Sequence, residues 1–172
     1  CQDSELSWVD WTEAAKHREL TDFVAALTEF RKEHPVFRRR RFFAGKPIRT
    51  GEELGDIAWF TPSGEEMKEQ NWDDGFGRAI VVFLNGEGIP DLDQRGMHVV
   101  DDSFLMAFNA HYEDIDVQLP AEGYGTEWVV VVDTATGEVA AEPGAETVAA
   151  GGKLTVTARS LVVLQRVGQD AE

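Results

Sequence analysis

The rhythm of apolar and polar positions changes near Gly45. Before it, Leu20, Phe23, Val24, Leu27 and Phe30 recur at helical spacing and form one apolar stripe. Thr12, followed by Glu13, Ala14 and Ala15, reads as the start signal, because a hydroxyl there can cap the first free N–H groups. His34-Pro35 reads as the stop, since the residue before proline avoids the α region. The pattern predicts a helix over roughly 13–33, open to a break near His17. After Gly45 the chain turns to strands. Runs at 57–60, 78–84, 103–108, 115–119, 127–132, 147–148, 154–157 and 160–165 are rich in β-branched and aromatic residues. Turn residues such as Thr61-Pro62-Ser63-Gly64 and Asn85-Gly86 separate them. Ile115, Val117 and Leu119 alternate with polar residues, as do Leu154 and Val156, which predicts half-buried strands. The valines at 81–82 and 129–132 read as buried on both faces. About eight such strands predict a mainly β fold, an antiparallel β-sandwich, preceded by one amphipathic helix. The helix must bury its stripe, either on the sandwich or as the last helix of a larger domain. The polar tail after Val167 is expected to fray.

Composition narrows the classes. The chain has 172 residues, 42% of them hydrophobic, which suits an ordered domain. Its 16 Lys+Arg against 32 Asp+Glu give a formal charge of −16. A nucleic-acid partner is not expected, because no large basic surface is available to displace counterions. A membrane span is not expected either, since no apolar run approaches the roughly 20 residues it needs. The single Cys leaves no internal disulfide framework and no multi-Cys metal site. Opening on Cys1 rather than Met, the chain is expected to have been processed or cut from something longer. A lipid anchor at Cys1, as in a surface lipoprotein adhesin, is one reading. Trp8, Val9 and Trp11 close behind favour a start inside a folded body. Charge divides the chain at the same place as periodicity. Residues 1–50 hold 10 basic and 8 acidic side chains, and residues 51–172 hold 6 and 24. Four of those 10 form the run Arg38, Arg39, Arg40 and Arg41.

Particular segments carry a family resemblance. Cys1-Gln-Asp-Ser-Glu-Leu-Ser-Trp-Val-Asp-Trp11 resembles a segment of the isoamylase-type glycogen debranching enzymes of the α-amylase superfamily. Ser4 stands where the motif usually has Asn, and Leu6 where it has Ile. His34-Pro-Val-Phe-Arg-Arg-Arg-Arg-Phe-Phe43 is similar to the same family. So are Asp56-Ile-Ala-Trp-Phe-Thr-Pro-Ser-Gly64 with Met67 and Trp72, and Asp102-Ser-Phe-Leu-Met-Ala-Phe-Asn-Ala-His111. The matches fall in family order from residue 1 to about 120. The resemblance implies that residues 1–44 are the terminal loop and last helix of a truncated (β/α)8 catalytic barrel. Residues 45–172 would then be the C-terminal all-β sandwich. The opening loop would lie near the active-site mouth, because barrel chemistry sits at the C-terminal ends of the strands. The implied parent is a cytoplasmic glycoside hydrolase that cleaves α-1,6-glucosidic branch linkages in glycogen or limit dextrin. It would use two closely spaced carboxyl groups. The family's three catalytic carboxylates precede this segment, and Asp3, Glu5 and Asp10 do not match them. No catalytic residue is therefore expected in this chain, which alone should be inactive and structural.

Each remaining feature has two readings. Gln2, Asp3 and Glu5 could line a sugar subsite, or order their loop through backbone hydrogen bonds. Trp8, with Trp11, could stack on sugar rings or pack the loop onto the barrel. The four arginines are expected to pair the barrel edge with the acidic sandwich, with packed stems and guanidinium groups meeting carboxylates. Trp59, Trp72 and Phe76 read as domain-interface core rather than a glucan platform. A non-catalytic carbohydrate-binding module is the rival reading, and it predicts exposed coplanar aromatics on one sandwich face. His111 reads as a turn residue, and His17, His34 and His98 show no ligand spacing with it. Asp73-Asp74 and Asp101-Asp102 lack a Ca²⁺ loop pattern and read as solvated turns. The glycines at 75–77, 86–88 and 151–152 read as turns, since none opens a helix after a strand. No metal and no cofactor are expected. Expected partners are α-glucan for the parent, the barrel itself, and a second copy through the exposed helix stripe.

Overall fold

The computed structural model describes residues 2–47, 53–73, 77–139 and 145–168. Cys1, Asp74, Gly75, Phe76 and the tail from 169 lie outside the described residues. The chain begins with a 3-10 helix at Trp11–His17, which runs into α1 at Arg18–Glu33. Asp10, not Thr12, caps the start: its carboxylate accepts from the Thr12 N–H at 2.9 Å and from Thr12 Oγ1 at 2.6 Å. A carboxylate there also meets the positive end of the helix dipole. The α-helix proper thus starts five residues later than the pattern at 13 implies. Residues 11–17 bury nothing, so no packing selects the α over the 3-10 form. His34 ends α1 in an extended conformation, as its proline neighbour demands, and Pro35–Arg38 make a second 3-10 turn.

Nine strands follow among the described residues. They are β1 (Ile57–Phe60), β2 (Ala79–Leu84), β3 (Phe104–Asn109), β4 (Ile115–Gln118), β5 (Glu127–Asp133), β6 (Glu138–Val139), β7 (Thr147–Ala149), β8 (Lys153–Val156) and β9 (Ser160–Arg166). A one-turn helix, α2 (Glu69–Trp72), lies between β1 and β2. All pairings are antiparallel, as expected, but the two layers are unequal. Seven strands form one sheet, ordered β1-β2-β3-β9-β5-β6 with β7 also on β5, while β4 and β8 pair alone.

The alternation of side chains gives the large sheet two apolar faces. One face carries Phe60, Phe83, Leu105, Trp128 and Leu164, which meet Val117 and Val156 of the small sheet. The other carries Val82, Leu84, Phe104 and Val163 and receives Leu27 and Phe30 of α1 with Val36 and Phe37 of the turn after it. A bulge in β5 between Val130 and Val132 departs from simple alternation. It places Val131 and Val132 together on the helix side. Ala79–Leu84 shows the resulting two-faced burial, with Val81 and Val82 0% and 4% exposed.

Buried polar side chains tie the layers together. Asn109 Nδ2 donates to the carbonyls of Glu113, Val156 and Thr157 at 2.9, 3.0 and 3.1 Å, and its Oδ1 accepts from the His111 N–H. One amide thereby joins the end of β3 to the end of β8 and to the turn that leads into β4. Gly86 marks the tightest backbone approach, since a Cβ there would stand 2.0 Å from the Asp101 carbonyl oxygen. Only glycine permits that crossing.

Candidate functional site

The helix-bearing face of the large sheet is only partly covered. α1 lies toward β6 and sets Phe30 against Phe104 of β3, while the β1-β2 side lies open. There a groove of about 720 Å³ runs between the chain after α1 and the sheet. Phe37, Phe42 and Phe43 form one wall, and Trp59, Met106 and Phe108 stand on the other. The groove is apolar because alternate residues of β1, β2 and β3 point into it and nothing in the described chain caps them. Phe42 is 99% exposed, a state that leaves a large apolar surface in water.

A buried ion pair fixes the near wall. Arg39 Nη2 donates to Asp56 Oδ2 at 2.8 Å, with the two side chains 3% and 0% exposed. The same carboxylate accepts from the backbone N–H groups of Ala44 and Gly45. Phe43 folds its ring over the guanidinium, 4.0 Å from the centroid. Asp56 thus converts the loop after the arginine run into a fixed edge. The other three arginines do different things. Arg40 uses its backbone N–H to reach Asp91, Arg41 lines the groove, and Arg38 is exposed. Sequence reasoning singled out all four alike, because only folding brings Asp56 to one of them.

A second clamp lies at the end of α1. His34 Nδ1 sits 2.8 Å from Asp101 Oδ1, and Asp101 Oδ2 accepts from the Val36 N–H at 2.8 Å. Phe30, Phe37 and Phe104 pack around the imidazole. Burial alone would lower the His34 pKa, but the hydrogen bond and charge of Asp101, helped by Asp102 and Glu33, raise it above its ordinary value. Asp101 and Asp102 are therefore partly buried fasteners rather than solvated turn residues, and His34 has the partner that sequence spacing did not reveal. The three groups lie within 4.8 Å of one another. Their atoms are nevertheless committed: Asp101 to His34 and Val36, and Asp102 Oδ2 to Gln165 Nε2 at 2.7 Å.

The opening loop stands apart from this packing. Gln2, Asp3, Glu5 and Trp8 are all exposed, Trp8 by 60%. Asp3 Oδ1 accepts from the Trp8 indole N–H at 2.5 Å, so the carboxylate holds the ring in place. Gln2 lends its carbonyl to the Ser7 hydroxyl. The Asp10 carboxyl is held below its usual range by the Thr12 hydroxyl and N–H. That is the wrong direction for a general acid, which needs a raised pKa.

Trp59 and Trp72 meet edge to face, with centroids 5.5 Å apart and planes at 74°. They do not form the coplanar pair that a flat glucan platform needs, and Trp59 instead lines the groove. His111, expected in a turn, is buried with only 8% exposure, because the Asn109 hub draws its backbone inward.

Sequence comparison agrees with this architecture. The family described as Isoamylase, C-terminal, matches residues 56–165. The chain is 50% identical over 168 residues to the glycogen operon protein GlgX homolog of Mycobacterium tuberculosis (strain ATCC 25618 / H37Rv), a match covering 96% of this chain and 23% of that protein. It is 28% identical over 169 residues to the isoamylase of Flavobacterium sp, covering 94% of this chain and 20% of that protein. In fold it resembles the pullulanase from Bacillus acidopullulyticus, with a TM-score of 0.53 at 13% identity over 91% of this chain and 15% of that one. The chain spans about a quarter of the length of the curated relatives it matches.

Proposed function

Because the chain belongs to the isoamylase C-terminal family, we propose that it is the C-terminal part of a bacterial, cytoplasmic glycogen debranching enzyme. The whole protein hydrolyses α-1,6-glucosidic branch linkages in glycogen or limit dextrin. This part supplies structure: residues 1–44 are the last loop and helix of the barrel, and residues 45–172 form the sandwich that steadies them. The open groove carries this reading. An apolar trough of about 720 Å³, bordered by a rigid Arg39–Asp56 edge, suits a folded neighbour rather than water. Trp59, Trp72 and the arginine run belong to that interface, and the barrel fills it. No described helix is long and apolar enough to cross a membrane.

The chain alone is catalytically silent in this reading. A retaining glycosidase places two carboxyl groups about 5–5.5 Å apart across the sugar. Here Asp3 is tied to Trp8, and Asp10 to the helix start. Gln2, Asp3, Glu5 and Trp8 contribute instead to the rim of a subsite whose reacting groups lie on the barrel. The test is reducing-end release from glycogen limit dextrin. The 172-residue chain should release none, and a protein extended to the length of the relatives should debranch. Hydrolysis by the short chain would overturn the structural role. Without the barrel, Leu20 and Val24, 62% and 51% exposed, offer a surface for self-association.

A further inference from the structure

The region from 51 to 172 holds only 6 basic side chains against 24 acidic ones. Two of the 6, Arg78 and Arg159, converge on one concavity of about 440 Å³ at the end of the sandwich, together with His111 and Tyr112. No carboxylate among the described residues pairs with either arginine. The concavity lies at the β2, β3 and β9 ends, beyond the groove and the opening loop.

The donors there outnumber the acceptors. His111 is nine-tenths buried, with its side chain 8% exposed. Its Nδ1 accepts from the Glu113 N–H at 3.2 Å. A neutral imidazole has one acceptor nitrogen, so it cannot serve donors on both sides of the ring. Arg78 Nη1, which can only donate, lies against the other ring nitrogen, Nε2. The Glu113 N–H and the Arg78 guanidinium therefore compete for one acceptor nitrogen, and an oxygen anion would serve the donor left over. The backbone adds a second sign. Arg159 adopts φ 53°, a left-handed conformation that glycine favours, and its N–H is fixed to the His111 carbonyl at 2.9 Å. The strained turn puts a guanidinium where a glycine would fold more easily. Tyr112 is 65% exposed, yet it is braced by stacking on His111 at 4.2 Å between centroids. A held, exposed ring offers a flat apolar face at low entropic cost. The nearby acids are placed elsewhere: Asp114 accepts from the Ala158 N–H, and Glu113 Oε2 lies on the Nδ1 side of the ring at 3.7 Å.

We infer that Arg78, His111 and Arg159 bind the dianion of a phosphate monoester, with Tyr112 stacking on a hexose that carries it. Arginine forks suit phosphate oxygens, and screening confines the repulsion of the acidic body to about 8 Å at physiological salt. The choice of hexose, but not of phosphate, rests on the reading of the parent as a glucan hydrolase.

Calorimetric titration of the 172-residue chain tests this, with glucose 1-phosphate, inorganic phosphate and maltotriose as probes. Glucose 1-phosphate should bind saturably and more tightly than inorganic phosphate, and maltotriose should not displace it. Arg78→Gln and Arg159→Gln should each weaken both phosphates about tenfold, the loss of one charge-assisted contact. Both arginines are exposed, so the variants should keep the parent's melting temperature. Tyr112→Ala should bring glucose 1-phosphate down to the affinity of inorganic phosphate. Equal affinities in the unaltered chain would remove the hexose and identify free phosphate as the ligand. No saturable binding, binding unchanged in the double arginine variant, or displacement by maltotriose would overturn the site. None of these readouts involves branch hydrolysis, so the outcome stands apart from the debranching assay.

Discussion

Helix α1 buries none of its 16 residues, whereas β2 buries four of its six. Both are strongly patterned, and both offer a face that water disfavours. The strand finds its partners within the chain, on two sides. The helix packs Leu27 and Phe30 against the sheet, while Leu20 and Val24 stay exposed. Patterning therefore states what an element needs, and burial states whether this length of chain supplies it. The stability of these 172 residues resides in the sheets, and the exposed side of the arm adds little to it.

Core truncation should break the comparison most sharply. Trp128→Ala removes a fully buried ring from the inter-sheet face and should cost about 3–5 kcal/mol in urea unfolding. Trp11→Ala, at a site 80% exposed, should stay within about 0.5 kcal/mol. Similar losses at the two tryptophans would mean that the arm is packed after all. Next comes Arg39→Ala, which strands the Asp56 carboxylate in the interior and should cost about 3 kcal/mol. Arg39→Lys should recover only part of that, because the flat guanidinium under Phe43 is lost.

The His34 clamp gives a smaller, pH-dependent effect. Its native pKa is raised above the unfolded value, so the protonated form is the one that folding favours. That contribution is complete below the ordinary imidazole value of about 6.5 and is lost as pH rises through the native value. Unfolding midpoints should fall across that window in the unaltered chain and stay flatter in Asp101→Asn. An unchanged slope in the variant would separate the raised pKa from Asp101. The smallest effect on stability should come from Leu20→Lys with Val24→Lys, within about 0.5 kcal/mol. The same pair should abolish self-association in sedimentation velocity, which separates surface stickiness from fold.

Legibility followed the range of the interactions. The strands from β1 to β5 and from β7 to β9 announce themselves by β-branched runs between turn residues, so their positions are readable within a few residues. Glu138–Val139 carries no such run and becomes a strand only because β5 lies beside it. The division into seven and two strands is not local either, since β3 pairs with β9 more than 50 residues away. The cap at Asp10 was readable in principle, because a carboxylate directly before a helical run accepts from the N–H two residues on. The site was less legible than the fold. His34 meets Asp101 across 67 positions, and Arg39 meets Asp56 across 17. No spacing rule joins such pairs. The motif resemblance reached the family because it compares whole segments. It could not tell which of four consecutive arginines would be buried.

The two clamps also act mechanically. Between them, His34 with Asp101 and Arg39 with Asp56 fix the chain at the foot of α1, as a pivot fixes a lever. With a rise of about 1.5 Å per residue, the helix extends about 24 Å from that pivot. A tilt of about 10° at the foot would therefore carry the far end, and the loop from Gln2 to Trp8 beyond it, through about 4 Å. A slight loosening of the sandwich at Asp56 would be magnified at the opening loop. The aim of the opening loop is set by two carboxylates in the sandwich.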